Sequence, residues 1–317
     1  MAETTSLSKR SLDALRQDGV IGLGRQALLY LMRRVAWRSE AWSKDLDLDI
    51  SGKRILRKYG SVLQRNAVFR DCHKGRRCFV IGNGPSLKKQ DISPLANELT
   101  FVTNNFYFHP IISDTWQPTY YFLSDPQYFD GYVKLSEFED MTARIRTAKF
   151  FVPHYAVDFL EDTKALPRDR TFYVAAAGGI GEKWERRPDF TTVTPGMQTV
   201  VQLAIMAAMY MGCSPIYLLG LDHDWLSHGG EDLHFYSEQD ADSQPDGHVG
   251  DWTYLTLMDA MSTMWHHYGM LLRVARAEGI EIVNCTRGGF LDVFKRGNYE
   301  DVVANQPDLD SVSTTSR

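Results

Sequence analysis

The densest group of titratable side chains in this chain is Gly220-Leu221-Asp222-His223-Asp224-Trp225, followed by His228 and then His234-Phe235-Tyr236. Asp222 and Asp224 can hold a divalent cation such as Mg2+ or Mn2+ through oxygen ligands, although the spacing fits no standard zinc pattern. Without a metal, Asp222, His223, Asp224 and His234 can act as general base and as partners of a phosphate, with Tyr236 close by. A hydrogen-bonded surface loop is the bland alternative for the same residues. Two further base candidates lie downstream: His248, in the Gly- and Asp-rich stretch 246–251, and His266. His266 is paired with His267 on a helical pattern, where adjacent residues point apart, so at least one of the two faces solvent or core.

A second set of polar residues suits a nucleotide. The apolar run Cys78 to Ile81 breaks at Gly82-Asn83-Gly84-Pro85-Ser86. Glycines permit positive φ and close approach of a ligand to the backbone. Freed N–H groups, Asn83 and Ser86 can then grip phosphate or ribose oxygens, although the pattern is neither GxGxxG nor a phosphate loop. Asn104-Asn105 ends a second apolar run, where an amide offers both donor and acceptor to a ribose or base edge. Ser124-Asp125-Pro126 ends a third, with helix capping as the alternative task for Asp125. Thr194-Pro195-Gly196 precedes a helix whose first N–H groups attract an anion. Asn284 and Thr286 end the last apolar run.

These residues need a scaffold that gathers strand ends. Predicted strands cover 77–81, 100–103, 120–124, 149–152, 172–175, 214–219 and 279–283. Predicted helices cover 126–147, 198–211 and 251–277. Alternation of this kind implies an α/β fold, a Rossmann-like doubly wound, mostly parallel sheet, whose ligand crevice lies at the carboxyl edge of the strands. Residues 76–295 form the catalytic domain in this reading, with 46–75 a helical linker and 296–317 a flexible tail. Residues 1–45 form an N-terminal helical extension. Within it, 19–42 alternates arginines with Leu, Val and Trp, as in a basic amphipathic helix that lies on an anionic membrane surface. Packing on the domain or on a second copy of the chain is the alternative.

The 317 residues, 44% hydrophobic, can bury a full core, and the net charge of −5 argues against a nucleic-acid binder. The four cysteines show no CxxC pairing and read as free thiols in a reducing cytoplasm. The polar first residues do not read as a secretory signal, and no stretch is long and apolar enough to span a bilayer.

Taken together, Ile81-Gly82-Asn83-Gly84-Pro85-Ser86-Leu87, Asn104-Asn105-Phe106-Tyr107-Phe108, Ser124-Asp125-Pro126, Thr194-Pro195-Gly196 and the run Ile216 to Asp222 resemble two related groups. One is the bacterial sialyltransferases that decorate lipooligosaccharide. The other is the MptE-like domains, which include the Maf-type flagellin glycosyltransferases and the archaeal 6-hydroxymethylpterin diphosphokinases. The resemblance spans roughly 76–295. It implies that Asn83, Gly84 and Ser86 meet the nucleotide, that Asn104 or Asn105 contacts ribose or leaving phosphate, and that Asp125 takes a position held there by asparagine. Pro195-Gly196 matches a Ser-Gly pair that contacts the sugar acid. Asp224 falls near one member of a tyrosine pair that binds the leaving phosphate, and His234 or Tyr236 near the other. His248 or His266 fills the place of the catalytic histidine. The implied activity is glycosyl transfer from a nucleotide-activated sugar, CMP-nonulosonate or a related acidic sugar first, to a glycan, lipid-linked or protein acceptor at the cytoplasmic membrane face. The alternatives are pyrophosphate transfer from ATP to a pterin alcohol, with Mg2+ on Asp222 and Asp224, and a non-catalytic nucleotide-binding module.

Overall fold

Short apolar runs supply the strands, and polar or glycine-bearing residues end each of them. The computed structural model describes residues 51–177, 184–227, 234–236 and 253–305. The strands are β1 (Cys78–Ile81), β2 (Thr100–Thr103), β3 (Tyr120–Phe122), β4 (Lys149–Pro153), β5 (Thr171–Ala177), β6 (Val193–Pro195), β7 (Ile216–Leu219), β8 (Ile282–Asn284) and β9 (Lys295–Arg296). They form one sheet in the order β6-β5-β4-β3-β2-β1-β7-β8-β9. Every pairing among the described residues is parallel. The chain walks outward from β1 to β6, then crosses back to place β7 beside β1 and walks the other way. The order therefore reverses between β1 and β7, the position where α/β sheets open a crevice.

Successive residues of a strand face opposite sides, so β1 sends Cys78 and Val80 into one core and Phe79 and Ile81 into the other. On the first face lies α4 (Val200–Tyr210), every residue of which is buried. A helix apolar all round must be enclosed on all sides, and here the sheet and α5 (Tyr254–Ala277) enclose it. The opposite face carries α2 (Leu135–Arg144) and α3 (Val157–Thr163), which bury Phe138, Met141 and Leu160. Chain entry is through α1, residues 51–63, and a 3-10 turn, Gln64–Phe69.

Four expectations differ from this structure. The long helix expected over 126–147 is a 3-10 turn, Pro126–Tyr128, and then α2. Between them Gly131 adopts φ +91° and Asp130 Oδ1 accepts the Tyr132 N–H at 3.0 Å, an Asx turn that ends helical hydrogen bonding. The expected linker 46–75 is, from residue 51, part of the domain: Asn66 Nδ2 donates to the carbonyls of Tyr173 and Phe190, and the Phe69 ring packs on Phe151 and Phe172. The expected tail from 296 instead holds β9 and α6 (Tyr299–Ala304), capped by Asn298, with Tyr299 buried. Finally, β6 and β9 are additional strands, too short to show a period in sequence. The basic stretch 19–42 lies outside the described residues, among which no helix is long and apolar enough to cross a membrane. All four cysteines are free, with Cys78, Cys213 and Cys285 buried and Cys72 exposed.

Candidate functional site

Because Ile81 pairs with Leu219, the loops after β1 and β7 leave the sheet side by side. Their backbones interlock: Gly82 N–H donates to the Leu219 carbonyl at 2.8 Å and Gly84 N–H to the Gly220 carbonyl at 2.9 Å. A Cβ on Gly82 would stand 2.6 Å from the Gly220 oxygen, and one on Gly84 would overlap the Asp222 carboxylate. The positive φ lies at Gly220, not at Gly82 or Gly84, and Gly84 has an ordinary φ of −62°. These two glycines therefore serve the approach of one loop to the other, and the N–H groups expected to be free for a phosphate are spent on that approach.

Asp222 ties the two loops together. Ser86 donates to it twice, from Oγ at 2.8 Å and from its N–H at 3.2 Å, and both residues are buried. Burial raises the Asp222 pKa; the Ser86 hydrogen bond opposes the shift and the Asp224 charge adds to it. Both Asp222 carboxylate oxygens thus accept hydrogen bonds from Ser86. Among the described residues no group of three or more His, Cys, Asp or Glu stands together as a metal site.

His223, at φ +49°, is also buried. Its Nε2 meets the Tyr268 hydroxyl at 2.8 Å, and Trp225 and Trp265 pack on its ring. Burial pulls its pKa down to about 4, so the ring is neutral and part of the wall.

The turn after β2 is built differently. Asn104 sits at φ +45°, a conformation asparagine tolerates. Its Nδ2 donates to Asp125 Oδ2 at 2.6 Å, while Asn83 Nδ2 donates to the Thr103 carbonyl at 3.0 Å. A carboxylate and a carbonyl only accept, so both amides are held one way round. The Oδ1 atoms of Asn83 and Asn104 are buried and have no donor among the described residues. Beside them Tyr128 donates to Asn105 Oδ1 at 2.7 Å, and Asn105 Nδ2 donates to the Tyr236 hydroxyl at 3.4 Å. Asp125 thus supports Asn104, and no helix cap is formed by its side chain. Phe235 N–H donates to the Asn83 carbonyl at 2.9 Å, which brings His234 and Tyr236, stacked at 4.8 Å, to the same place.

The result is a cleft of ≈ 420 Å³ at the β1/β7 reversal. It gathers Gly82, Asn83, Gly84, Asn104, Asn105, Asp125, Asp222, His223, His234 and Tyr236 from the residues singled out in sequence. Others stand apart. Ser86 is spent on Asp222, and Gly196 lines a neighbouring cavity. Asp224 does not line the cleft, and its carbonyl accepts from Ser227. Asn284 is buried and locked, donating to the Leu291 carbonyl and accepting from Thr286 N–H. His266 is exposed, its Nδ1 on the Ser262 carbonyl one turn back. His248 lies outside the described residues. Sequence reading missed Tyr128, Gln198, Thr199 and Trp225. The polar step before α4 was the available signal for Gln198 and Thr199, whose N–H groups are accepted by Gln202 Oε1 at 2.9 and 3.4 Å. Among the described residues lining the cleft there is no Lys or Arg.

Residues 53–228 match the family described as 6-hydroxymethylpterin diphosphokinase MptE-like. In fold the chain is similar to the sialyltransferase CstII from Campylobacter jejuni, solved in complex with CMP-3FNeuAc. Identity is 16%, over 70% of this chain and 86% of that one, with a TM-score of 0.45. It is also similar to the monofunctional alpha-2,3-sialyltransferase Cst-I from the same organism: 15% identity, 70% and 80% coverage, TM-score 0.42. No curated protein sequence matches the chain.

Proposed function

The chain belongs to the 6-hydroxymethylpterin diphosphokinase MptE-like family, and on that premise we propose that it is a transferase using a nucleotide-activated sugar, with CMP as the first choice of nucleotide. The acceptor is a hydroxyl of a surface glycan, a lipid-linked glycan or a protein. The observation that carries this reading is the cleft at the β1/β7 reversal, lined by Asn83, Asn104, Asn105, His234 and Tyr236 and by no described Lys or Arg. Amide and hydroxyl side chains suit the hydroxyls of a ribose or the edge of a cytosine. A cleft whose described residues include no Lys or Arg suits one phosphodiester better than a triphosphate, whose charge demands Lys, Arg or Mg2+.

In this reading His234 and Tyr236 meet the leaving phosphate, and stabilising its developing charge is the largest electrostatic contribution. Asp125, which lines both the cleft and the cavity beside it, takes the proton of the acceptor hydroxyl. The acceptor oxygen bonds to the anomeric carbon, the bond from that carbon to the phosphate oxygen breaks, and the nucleotide leaves with the electron pair. Asp222 and Ser86 hold the loops in place and touch no substrate.

The family description favours a second reading, pyrophosphate transfer from ATP to a pterin alcohol. Thermal denaturation with CMP, UDP, GDP and ATP, each with and without Mg2+, separates the two. A ligand at 100 times its Kd adds ~2.7 kcal/mol of stability. Stabilisation by CMP alone is expected; stabilisation by ATP only in the presence of Mg2+ would replace the first reading by the second.

A further inference from the structure

The sheet edge that opens the cleft continues past β4 and β5 to a basic helix. Residues 51–70 hold six Lys and Arg and no Asp or Glu, in a chain whose net charge is −5. Helix α1 turns Gly52, Ile55, Tyr59 and Leu63 onto the domain at helical spacing, which leaves Lys53, Arg54, Arg57 and Lys58 exposed on its other face. Lys58 pairs with Asp158 at 3.0 Å, both largely exposed. Lys53, Arg54 and Arg57 make no ion pair among the described residues. The basic turns of α1 stand at the carboxyl edge. Gly52 faces Val193 of β6, and Tyr59 meets His154 just after β4. The turn that follows α1 carries Arg65 to the Arg168 carbonyl, at the amino end of β5.

Ring contacts lead from α1 along the same edge: Tyr59 to His154 at 5.2 Å, His154 to Tyr155 at 5.7 Å, and Tyr155 to Phe129 at 6.2 Å. The turn after Phe129 presents Tyr132, then Lys134, and Leu135 begins α2. Asp130 in that turn accepts the Tyr132 N–H. Tyr132 is 52% exposed, Leu135 46%, Tyr155 44% and Leu56, on α1 itself, 38%. These are four of the nine large apolar side chains exposed among the described residues, so the rim gathers what an ordinary surface scatters. The rim also borders the opening for substrate. His154 and Tyr155 line a cavity of ≈ 350 Å³ that shares Asp125 and residues 198–200 with the cleft.

We propose that this rim, the basic face of α1 together with Leu56, Tyr132, Leu135 and Tyr155, docks on an anionic lipid bilayer and turns the cleft towards it. Lys and Arg on long stems reach lipid phosphates, while tyrosine and leucine enter the headgroup zone. Charge selects the occupant: three basic side chains without an acidic partner in the chain complement a surface of anionic headgroups. The surface is separate from the stretch 19–42, and it stands whichever nucleotide the cleft takes.

The test is co-sedimentation of the full chain with vesicles rich in phosphatidylglycerol and with vesicles of phosphatidylcholine alone, each at low and high salt. Binding to the anionic vesicles, weakened by salt, is expected. The triple variant Lys53→Gln, Arg54→Gln, Arg57→Gln should bind them about a hundredfold more weakly, at about fivefold for each charge removed. The comparison variant, Lys74→Gln, Arg186→Gln, Arg276→Gln, removes three exposed charges away from the rim and should lose less than about threefold, because distant charges are screened. All six side chains are exposed, and an unchanged melting temperature shows the fold intact in both variants. Orientation is read separately with a fluorophore on a single exposed cysteine. Placed at position 132, in Cys72→Ser, Tyr132→Cys, it should be quenched by nitroxide-bearing lipid. Placed on Cys72 of the parent, beside His73 and Tyr120 at the amino end of β3, it should not. The proposal is overturned if the parent ignores anionic vesicles, if the two triple variants lose equally or not at all, or if the label at 132 escapes quenching. Equal quenching at both positions would also overturn it, since the rim would then not face the bilayer.

Discussion

The turn after β1 and the turn after β2 are neighbours on the sheet and carry residues of the same polar kind. After β1, Gly82, Gly84 and Ser86 are turned on the protein itself, against Leu219, Gly220 and Asp222. After β2, Asn104 leaves an amide oxygen without a donor among the described residues while its other end is fixed by Asp125. Asn83 belongs to the first turn by sequence and to the second by behaviour, since its Nδ2 holds Thr103 and its Oδ1 is donorless. Residue type alone does not separate a ligand-binding turn from an interlocked one. The separation comes from asking whether each polar atom already has its partner within the chain.

The sharpest break in this comparison is Gly84→Ala. The backbone conformation would accept alanine, but the new methyl group would overlap the Asp222 carboxylate and stand 2.7 Å from the Gly220 carbonyl oxygen. Asp222 cannot swing aside without losing Ser86, and the carbonyl belongs to the backbone. Overpacking typically costs ~1–3 kcal/mol, and the loss of the Ser86–Asp222 pair adds to that. Expression as a soluble protein and the urea midpoint are the measurements. A Gly84→Ala protein with unchanged stability and unchanged CMP affinity would mean that the loops are not interlocked.

Next in size is a pair of substitutions that should divide along the same line. Ser86→Ala leaves the buried Asp222 carboxylate short of a donor, and ~1–3 kcal/mol of stability should go with it. Its effect on CMP affinity should be small once the protein is folded. Asn83→Ala should do the reverse, with CMP affinity down by about tenfold and stability lowered by ~1 kcal/mol through the lost bond to Thr103. Calorimetric titration of CMP and urea denaturation, run on both variants, give the four numbers. Equal losses of affinity in the two would mean that Ser86 reaches the ligand after all.

The central sheet was legible because β1, β2, β4, β5 and β7 are buried on both faces and read as continuous apolar runs bounded by turn residues. The strand ends were legible for the same reason, and they carry eight of the ten cleft residues singled out in sequence. What escaped was decided by partners distant in sequence. Asp125 next to Pro126 reads as a helix cap, yet Asn104 claims its carboxylate. Asn284 looks like its counterparts at other strand ends, but Leu291 and Thr286 occupy it. His223 and His234 look alike in sequence and both line the cleft; only the fold puts Tyr268 and two tryptophans around the first.

The smallest expected effect concerns His223, the histidine that the protein keeps for itself. Its value in the folded protein is about 4, against 6.5 for an exposed imidazole, because burial disfavours the charged ring. Above pH 6.5 the ring is neutral in both states and folding takes no proton from it. Between 6.5 and about 4 the unfolded chain binds a proton there and the folded one does not, so stability falls as pH falls, by up to ~1.4 kcal/mol per pH unit. His109, half-buried and also lowered to about 4, adds to the same slope, as do His73 and His154, both lowered by burial. His223→Asn keeps a residue type tolerant of the positive φ and removes one of these rings. The variant should be less stable than the parent at pH 7.5, having lost the contact with Tyr268, and the gap should narrow as the pH is brought from 6.5 towards 4.5. Urea denaturation across that range reads the slope directly. A gap that stays constant would show that the folded protein does not lower the His223 pKa.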